Sequence, residues 1–160
     1  NHTDENVKVV GIAGDSGFVS INTTKYLMNR EVGFGRKLLQ ILEDLNISWD
    51  HMPTGIDDLS VILRSKELTP IKEQEILKHL IQDLQVDYAE IEHDLSIIMI
   101  VGENMKNQIG VTATATKALS ENNINIQMIS QGSSEVSIMF VVNQEQEKQA
   151  IKALYNVFFN

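Results

Sequence analysis

A glycine-rich stretch ahead of a predicted helix has the residue types that bind a small anion. Gly33 and Gly35 flank Phe34 directly before a helical pattern of apolar residues. Glycine lets the backbone approach a ligand closely. The free N–H groups at a helix start bind anions through their donors and through the helix dipole. The carboxylate of an amino acid suits such a place.

An acidic segment after the same helix supplies the opposite charge. Ser48-Trp49-Asp50 begins the next predicted strand, which we expect to face the helix start. Asp50 would then pair with the α-ammonium group of the ligand. Glu31 adds negative charge that suits a second cation, such as a lysine side chain. The alternative interpretation is that these residues are turn glycines and solvated acids.

Other motif-like segments do not lead to a known chemistry. Gly14–Gly17 resembles the segment around the nucleophile of trypsin-like proteases, but those enzymes need a longer double barrel, so we interpret it as a turn. Gly33 and Gly35 supply only two of the three glycines of a dinucleotide fingerprint. The histidines lack metal-ligand spacing, and no carboxylate pair stands out as an acid–base couple. We expect no catalytic residue, no metal site and no cofactor.

The composition narrows the class of protein. The chain has 160 residues, of which 42% are hydrophobic, and no cysteine. A disulfide framework is therefore excluded, and a cytoplasmic location is expected. The net charge of −9 repels phosphate backbones and anionic membranes. Since there is also no apolar run of transmembrane length and no visible signal peptide, we expect no nucleic-acid partner and no membrane association.

The sequence repeats itself at a spacing of 77 residues. When the sequence is aligned with itself at this spacing, Gly33 aligns with Gly110 and Gly55 aligns with Gly132. The apolar positions between these glycines also align. Each copy is predicted to run strand, helix, strand, strand, helix. The predicted strands are Phe18–Thr23, Ser48–Met52, Asp58–Leu63 and Asp87–His93 in the first copy, and Leu95–Val101, Ile126–Gln131 and Glu135–Val142 in the second.

The second copy has no closing strand, whereas Val7–Ala13 is a predicted strand that precedes the first copy and is not among the strands of either copy. An open sheet edge is a liability, so we expect Val7–Ala13 to cross over and complete the second unit. The alternative places this strand along the edge of the first unit. The predicted fold class is α+β, with two ferredoxin-like βαββαβ units, each a four-stranded antiparallel sheet with two helices on one face. The predicted domains are 16–93, and 7–15 plus 94–160.

A family resemblance extends this interpretation. The stretch Asn125–Ser137 (NIQMISQGSSEVS) resembles the second ACT domain of aspartate kinases. The first copy, with Met28, Gly33-Phe34 and Asn46–Asp50, resembles the first ACT domain of the same enzymes. The resemblance covers nearly the whole chain. It implies the regulatory end of an aspartate kinase, with the first ACT unit inserted in the second.

The resemblance also implies what the module does. It predicts a homodimer formed through paired ACT units and attached to the kinase domain of a parent chain, which it inhibits in response to lysine. The lysine- and glycine-rich kinase motif is absent, so we expect that this chain does not phosphorylate aspartate. In lysine-sensitive members the effector sits in the first ACT domain. The contacts carried over by motif are Met28, Glu31, Gly33, Phe34, Gly35, Ser48, Trp49 and Asp50.

The same resemblance implies a role for each group. The N–H groups of Phe34 and Gly35 would take the effector carboxylate, and the Met28 carbonyl and Asp50 would take its α-ammonium group. Two positions depart from the family pattern.

Glu31 replaces a small polar residue of some relatives, and Trp49 replaces an aliphatic residue. These departures leave threonine as an alternative effector. Two further alternatives are a structural dimerisation module without a ligand and an unrecognised enzyme on the same scaffold.

Overall fold

The computed structural model describes residues 8–103, 110–131 and 137–160. The strands in these ranges are β1 (Lys8–Thr24), β2 (Asp58–Arg64), β3 (Tyr88–Glu103), β4 (Met128–Gln131) and β5 (Ser137–Asn143). The α-helices are α1 (Phe34–Asp44), α2 (Pro70–Gln82), α3 (Val111–Glu121) and α4 (Glu147–Phe159).

The described residues form two compact units. Gly17–His93 make up the first unit, and the described part of Asn1–Ser16 joins Asp94–Asn160 in the second unit. β1 and β3 each continue from one unit into the other. Gly17 and Asp94, where the chain passes between the units, have positive φ angles of 84° and 58°.

The turn predicted at Gly14–Gly17 is wrong, because the chain stays extended through this segment as part of β1. The strands predicted at Asp87–His93 and Leu95–Val101 are likewise one continuous strand, β3. The small polar residues of Gly14–Gly17, and Asp94 between the two predicted strands, favour turns when considered locally. β1 and β3 are hydrogen-bonded neighbours, and this pairing outweighs the local preference.

In the first unit the strand order is β2-β1-β3. β1 and β2 are antiparallel, from Phe18 opposite Arg64 to Thr24 opposite Asp58. Alternate strand residues point to one face, where α1 and α2 cover them. The buried core on this face includes Val19, Ile21, Leu38, Leu42, Val61, Leu63, Ile76 and Leu80.

The segment between α1 and β2 is an irregular outer edge of the first unit. The strand predicted at Ser48–Met52 is not regular, because this part of the chain forms one isolated bridge at His51, opposite Ile62, and a second bridge only beyond Pro53. Proline has no N–H group to donate to a ladder. The edge therefore follows β2 without forming a continuous ladder with it.

In the second unit the strand order is β1-β3-β5-β4. Val9 of β1 lies in the core of this unit together with Ile98, Phe140 and Leu154. The predicted α+β class with ferredoxin-like units is confirmed. The predicted domain boundaries stay a prediction that a substitution at Val9 tests. Residues 135 and 136 of the predicted strand Glu135–Val142 lie outside the described residues.

Candidate functional site

The helix-start group contains the predicted site residues at the beginning of α1, namely Met28, Glu31, Gly33, Phe34 and Gly35. Met28 is buried in a short 3-10 turn, Phe34 is buried in the core, and Gly33 caps α1 with a φ of 82°. The Phe34 N–H group makes a long bond of 3.4 Å to the Glu31 carbonyl. Gly35 lies in the first turn, where N–H groups have no acceptor within the helix. This end of α1 suits an anion.

The two glycines of this group should respond differently to alanine. Gly33→Ala should lower the free energy of unfolding by about 1 kcal/mol, because a side chain disfavours left-handed backbone. Gly35→Ala should raise it by about 0.5 kcal/mol, because alanine is the better helix former and a Cβ there meets nothing within 4 Å. Urea denaturation of both variants measures the difference. An equal decrease in the free energy of unfolding for both variants would contradict the assignment of Gly33 as the cap of α1.

The carboxylate of Glu31 already has cationic partners from the chain itself. Glu31 Oε1 lies 3.0 Å from Lys25 Nζ and 3.8 Å from Lys37 Nζ. The Met28 carbonyl accepts the Glu31 N–H at 3.1 Å, and a carbonyl oxygen retains a second lone pair. Both lysines contact Oε1, whereas Glu31 Oε2 is buried without a hydrogen-bond partner among the described residues. The expectation that Glu31 contacts a ligand cation therefore stays a prediction, although Lys25 and Lys37 already supply positive charge to this carboxylate.

The edge group contains Ser48, Trp49 and Asp50, which lie on the irregular edge. The Asp50 N–H donates to the Ile62 carbonyl at 2.9 Å, and its side chain is exposed. Ser48 Oγ donates to Glu67 Oε1 at 3.3 Å. The Trp49 side chain is 43% exposed, which is unusual for a residue of this size.

A surface cavity of about 580 Å³ adjoins the edge group. Its lining consists of Leu39, Leu42, Glu43, Asn46, Ile47, Ser48, Trp49 and Glu67. Two residues of the edge group line this cavity, and the helix-start group does not contribute to it. The cavity therefore marks the end of the first unit at which α1 finishes.

Within one chain the two groups lie towards opposite ends of α1. β1 ends at Thr24, opposite Asp58, and leads from there to the helix start. The Asp50 N–H instead bonds to Ile62, further along β2. With 11 residues, α1 spans about 16 Å, far more than the separation of the carboxylate and ammonium of one amino acid.

The expectation that the edge group faces the helix start within one chain is therefore wrong. A strand that follows a helix begins where that helix ends, and α1 ends at Asp44. The edge group comes soon after Asp44, so it lies at the far end from Gly33. One chain therefore does not bring the helix-start group and the edge group together.

A row of polar side chains crosses the sheet of the first unit. Asn22 accepts a hydrogen bond from Ser60 Oγ at 2.8 Å and donates to Glu90 Oε1 at 3.0 Å. The Tyr88 hydroxyl donates to Glu90 Oε2 at 2.7 Å. Hydrogen bonds from Tyr88, and then from Asn22, lower the pKa of the Glu90 carboxyl. The same Tyr88–Glu90 bond raises the pKa of the Tyr88 phenol.

Tyr88→Phe should raise the pKa of Glu90 towards its ordinary value, because the strongest hydrogen bond to the carboxylate is lost. A lowered folded-state pKa stabilises the protein above the unfolded pKa, and this contribution is lost as the pH falls through the folded pKa. The variant should therefore lose less stability in acid than the wild type. NMR titration of Glu90 measures the shift. Tyr155→Phe is the control, and an equal shift there would contradict the assignment.

The described residues contain no group of three or more His, Cys, Asp or Glu side chains that could hold a metal ion. In the same part of the chain, no helix has the length and apolar character needed to cross a membrane.

Comparison with known proteins decides the family. A family model described as ACT domain matches residues 98–158. Aspartokinase 3 of Bacillus subtilis is 52% identical over 154 residues, which are 96% of this chain and 34% of that protein. The chain belongs to the regulatory ACT regions of the aspartate kinase family. It spans about a third of the length of this relative.

Two solved structures share the fold of this aspartate kinase regulatory region. The regulatory subunit of aspartate kinase from Thermus flavus is 21% identical, with a TM-score of 0.82 over 94% of this chain and 99% of that one. E. coli aspartokinase III in complex with lysine and aspartate is 23% identical, with a TM-score of 0.77 over 99% of this chain and 35% of that one. At these identities the likeness shows the fold.

Sequence reasoning missed Lys25, whose ammonium group contacts the helix-start group. It precedes its partner Glu31 at a spacing that belongs to no helical or strand period, because the intervening chain is a loop with a 3-10 turn. The only signal is a basic residue directly after a buried strand, which is common on protein surfaces.

Proposed function

We propose that this chain binds free lysine and relays its level to an aspartate kinase domain as feedback inhibition. The 52% identity to Aspartokinase 3 over 96% of the chain carries the proposal. The lysine complex of E. coli aspartokinase III, which shares the fold, favours lysine as the effector. Inhibition requires that lysine binds the inactive arrangement of the parent enzyme more tightly than the active one.

We propose further that the effector site is completed by a second copy of the chain. Two copies that pair antiparallel along the irregular edge are related by a two-fold axis. This operation reverses the strand direction and keeps the helices of both copies on the same face. The edge group of one copy then comes to the end of the sheet at which α1 of the other copy begins.

Exposed apolar side chains support pairing along this edge. Val32 is 95% exposed and Ile56 is 71% exposed, and both lie at the end of the first unit where α1 begins. Trp49 lies on the edge towards the other end. Antiparallel pairing would bring Trp49 of one copy towards Val32 and Ile56 of the other, and burial of such side chains stabilises an interface.

The chemistry of the completed site follows from its two halves. The Gly35 N–H group donates to the effector carboxylate with support from the helix dipole. The Phe34 N–H group joins it by exchanging its long 3.4 Å bond to the Glu31 carbonyl for the effector. Asp50 of the second copy accepts the α-ammonium group through a charge-assisted hydrogen bond. Each half holds one charge of the zwitterion, so neither half binds the effector well without the other.

Threonine is the second candidate effector. The observation that favours it is the pairing of Glu31 with Lys25 at 3.0 Å. A carboxylate that already contacts Lys25 attracts the side-chain cation of lysine less strongly, whereas the site for the carboxylate and α-ammonium groups serves any amino acid. The third candidate is a dimerisation module that binds no effector.

Isothermal titration calorimetry with lysine and with threonine separates these functions. We expect saturable heat with lysine, and a dimer by analytical ultracentrifugation at the same concentration. If threonine gives saturable heat and lysine does not, the effector is threonine and not lysine. No heat with either amino acid, on a protein that is still a dimer, would leave only the structural role.

A further inference from the structure

The ammonium group of Lys25 lies in a cage built from three parts of the first unit. Lys25 Nζ donates to Glu31 Oε1 at 3.0 Å and to the Leu84 carbonyl at 2.7 Å. It also lies over the Phe34 ring, 5.9 Å from the ring centroid. A carboxylate, a carbonyl and an aromatic face each bind a primary ammonium ion favourably in proteins.

The cage holds this ammonium group firmly. Leu84 follows the end of α2, where helix carbonyls carry partial negative charge that favours a cation. The Lys25 N–H donates to the Asp57 carbonyl at 2.9 Å, which fixes the base of the side chain. Only 20% of the Lys25 side chain is exposed, compared with 43% for Lys37, the other lysine near Glu31.

We propose that this cage is a subsite for primary alkylammonium ions, and that Lys25 is its tethered occupant. Glu31 and Phe34 belong to both the cage and the helix-start group, so the tethered ammonium occupies the place beside the effector where a side-chain cation would bind. Lys25 is then a specificity-determining residue that reduces the preference for cationic amino acids. This consequence for the effector rests on the proposed function, whereas the cage itself does not.

Chemical rescue tests the cage. Lys25→Ala removes three carbons and the ammonium group, which n-propylammonium replaces. The variant should melt about 3 °C or more below the wild type, and millimolar n-propylammonium should restore part of the loss. n-Propanol should not restore it. Lys37→Ala is the matched control, because it removes a cation from Glu31 without opening the cage.

Two results would overturn the cage. One is that n-propylammonium raises the melting temperature of Lys25→Ala no more than that of Lys37→Ala. The other is that Lys25→Met, which keeps the cage filled, responds to the amine as strongly as Lys25→Ala. If Lys25→Ala does not fold, chemical acetylation of the lysines of the wild-type protein tests the cage instead. Mass spectrometry should then find Lys25 modified several-fold more slowly than Lys37, and equal rates would contradict the cage.

The specificity role has a separate test. In Lys25→Ala the affinity for lysine relative to threonine should rise about tenfold, and in Lys37→Ala the ratio should stay unchanged. An unchanged ratio in Lys25→Ala overturns the specificity role. If the wild-type protein and both variants bind neither amino acid, the proposed function fails, and the rescue by n-propylammonium still decides whether the cage exists.

Discussion

Asp50→Asn should weaken effector binding by about tenfold to a hundredfold, because a hydrogen bond between charged groups contributes about 1.5–3 kcal/mol. Asparagine keeps the size of the side chain and removes its charge. The Asp50 side chain is exposed and its N–H group bonds to the Ile62 backbone, so folding does not depend on the carboxylate. Titration calorimetry measures the affinity, and the melting temperature should stay within about 1 °C of the wild type.

Asp44→Asn is the matched control for this experiment. Asp44 is also exposed and lies at the other end of the loop that leads to the edge group. It should bind the effector as the wild type does. If Asp50→Asn binds the effector with wild-type affinity, or if both variants lose affinity equally, then Asp50 is not part of the effector site.

Val9→Asp should destabilise the second unit by about 3 kcal/mol or more, because it places an unpaired charge in the core. Val9 is 7% exposed and packs with Ile98 and Phe140. Val10→Asp is the control, since the neighbouring side chain is 56% exposed and points to the other face of β1. Chemical denaturation of both variants measures the difference in the free energy of unfolding.

This comparison tests whether the strand ahead of the first unit completes the second one. Hydrogen exchange should show faster exchange in β5 for Val9→Asp than for Val10→Asp, because Phe140 of β5 loses its packing partner. Equal stabilities of the two variants would exclude Val9 from the core and would favour a strand that lies at the edge of the first unit.

Periodicity in the sequence was sufficient to predict most of the fold. The second helix expected in the first copy is present as α2, where the Thr69 side chain accepts the Lys72 N–H as an N-cap. Gly33 and Gly110, which match in the sequence repeat, both cap helices with left-handed backbone. These features are local, so a single sequence contains the information that specifies them.

Features that depend on pairing between distant segments were not predictable in the same way. The polar residues of Gly14–Gly17 favour a turn, yet pairing with β3 keeps them extended. Residue types indicated the candidate site residues. The separation of the helix-start group from the edge group along α1 follows only from the register of β2. The contact of Lys25 with the Leu84 carbonyl uses a backbone acceptor. Every residue has a backbone carbonyl, so the residue type at position 84 could not predict this contact.

The central claim is that two copies of the chain share each effector site, and subunit complementation tests it most directly. Gly35→Asp disables the helix-start group, because its carboxylate repels that of the effector, while a side chain fits there and an acid at a helix start does not oppose folding. Asp50→Asn disables the edge group. Each variant alone should bind the effector poorly.

The two variants are then unfolded, mixed in equal amounts and refolded together. If each site takes the helix-start group from one copy and the edge group from the other, a mixed dimer has one intact site. Calorimetry should then recover about a quarter of the wild-type sites at wild-type affinity, because half of the dimers are mixed and each has one good site of two. Binding by the mixture that is no better than by either variant alone would contradict the shared site.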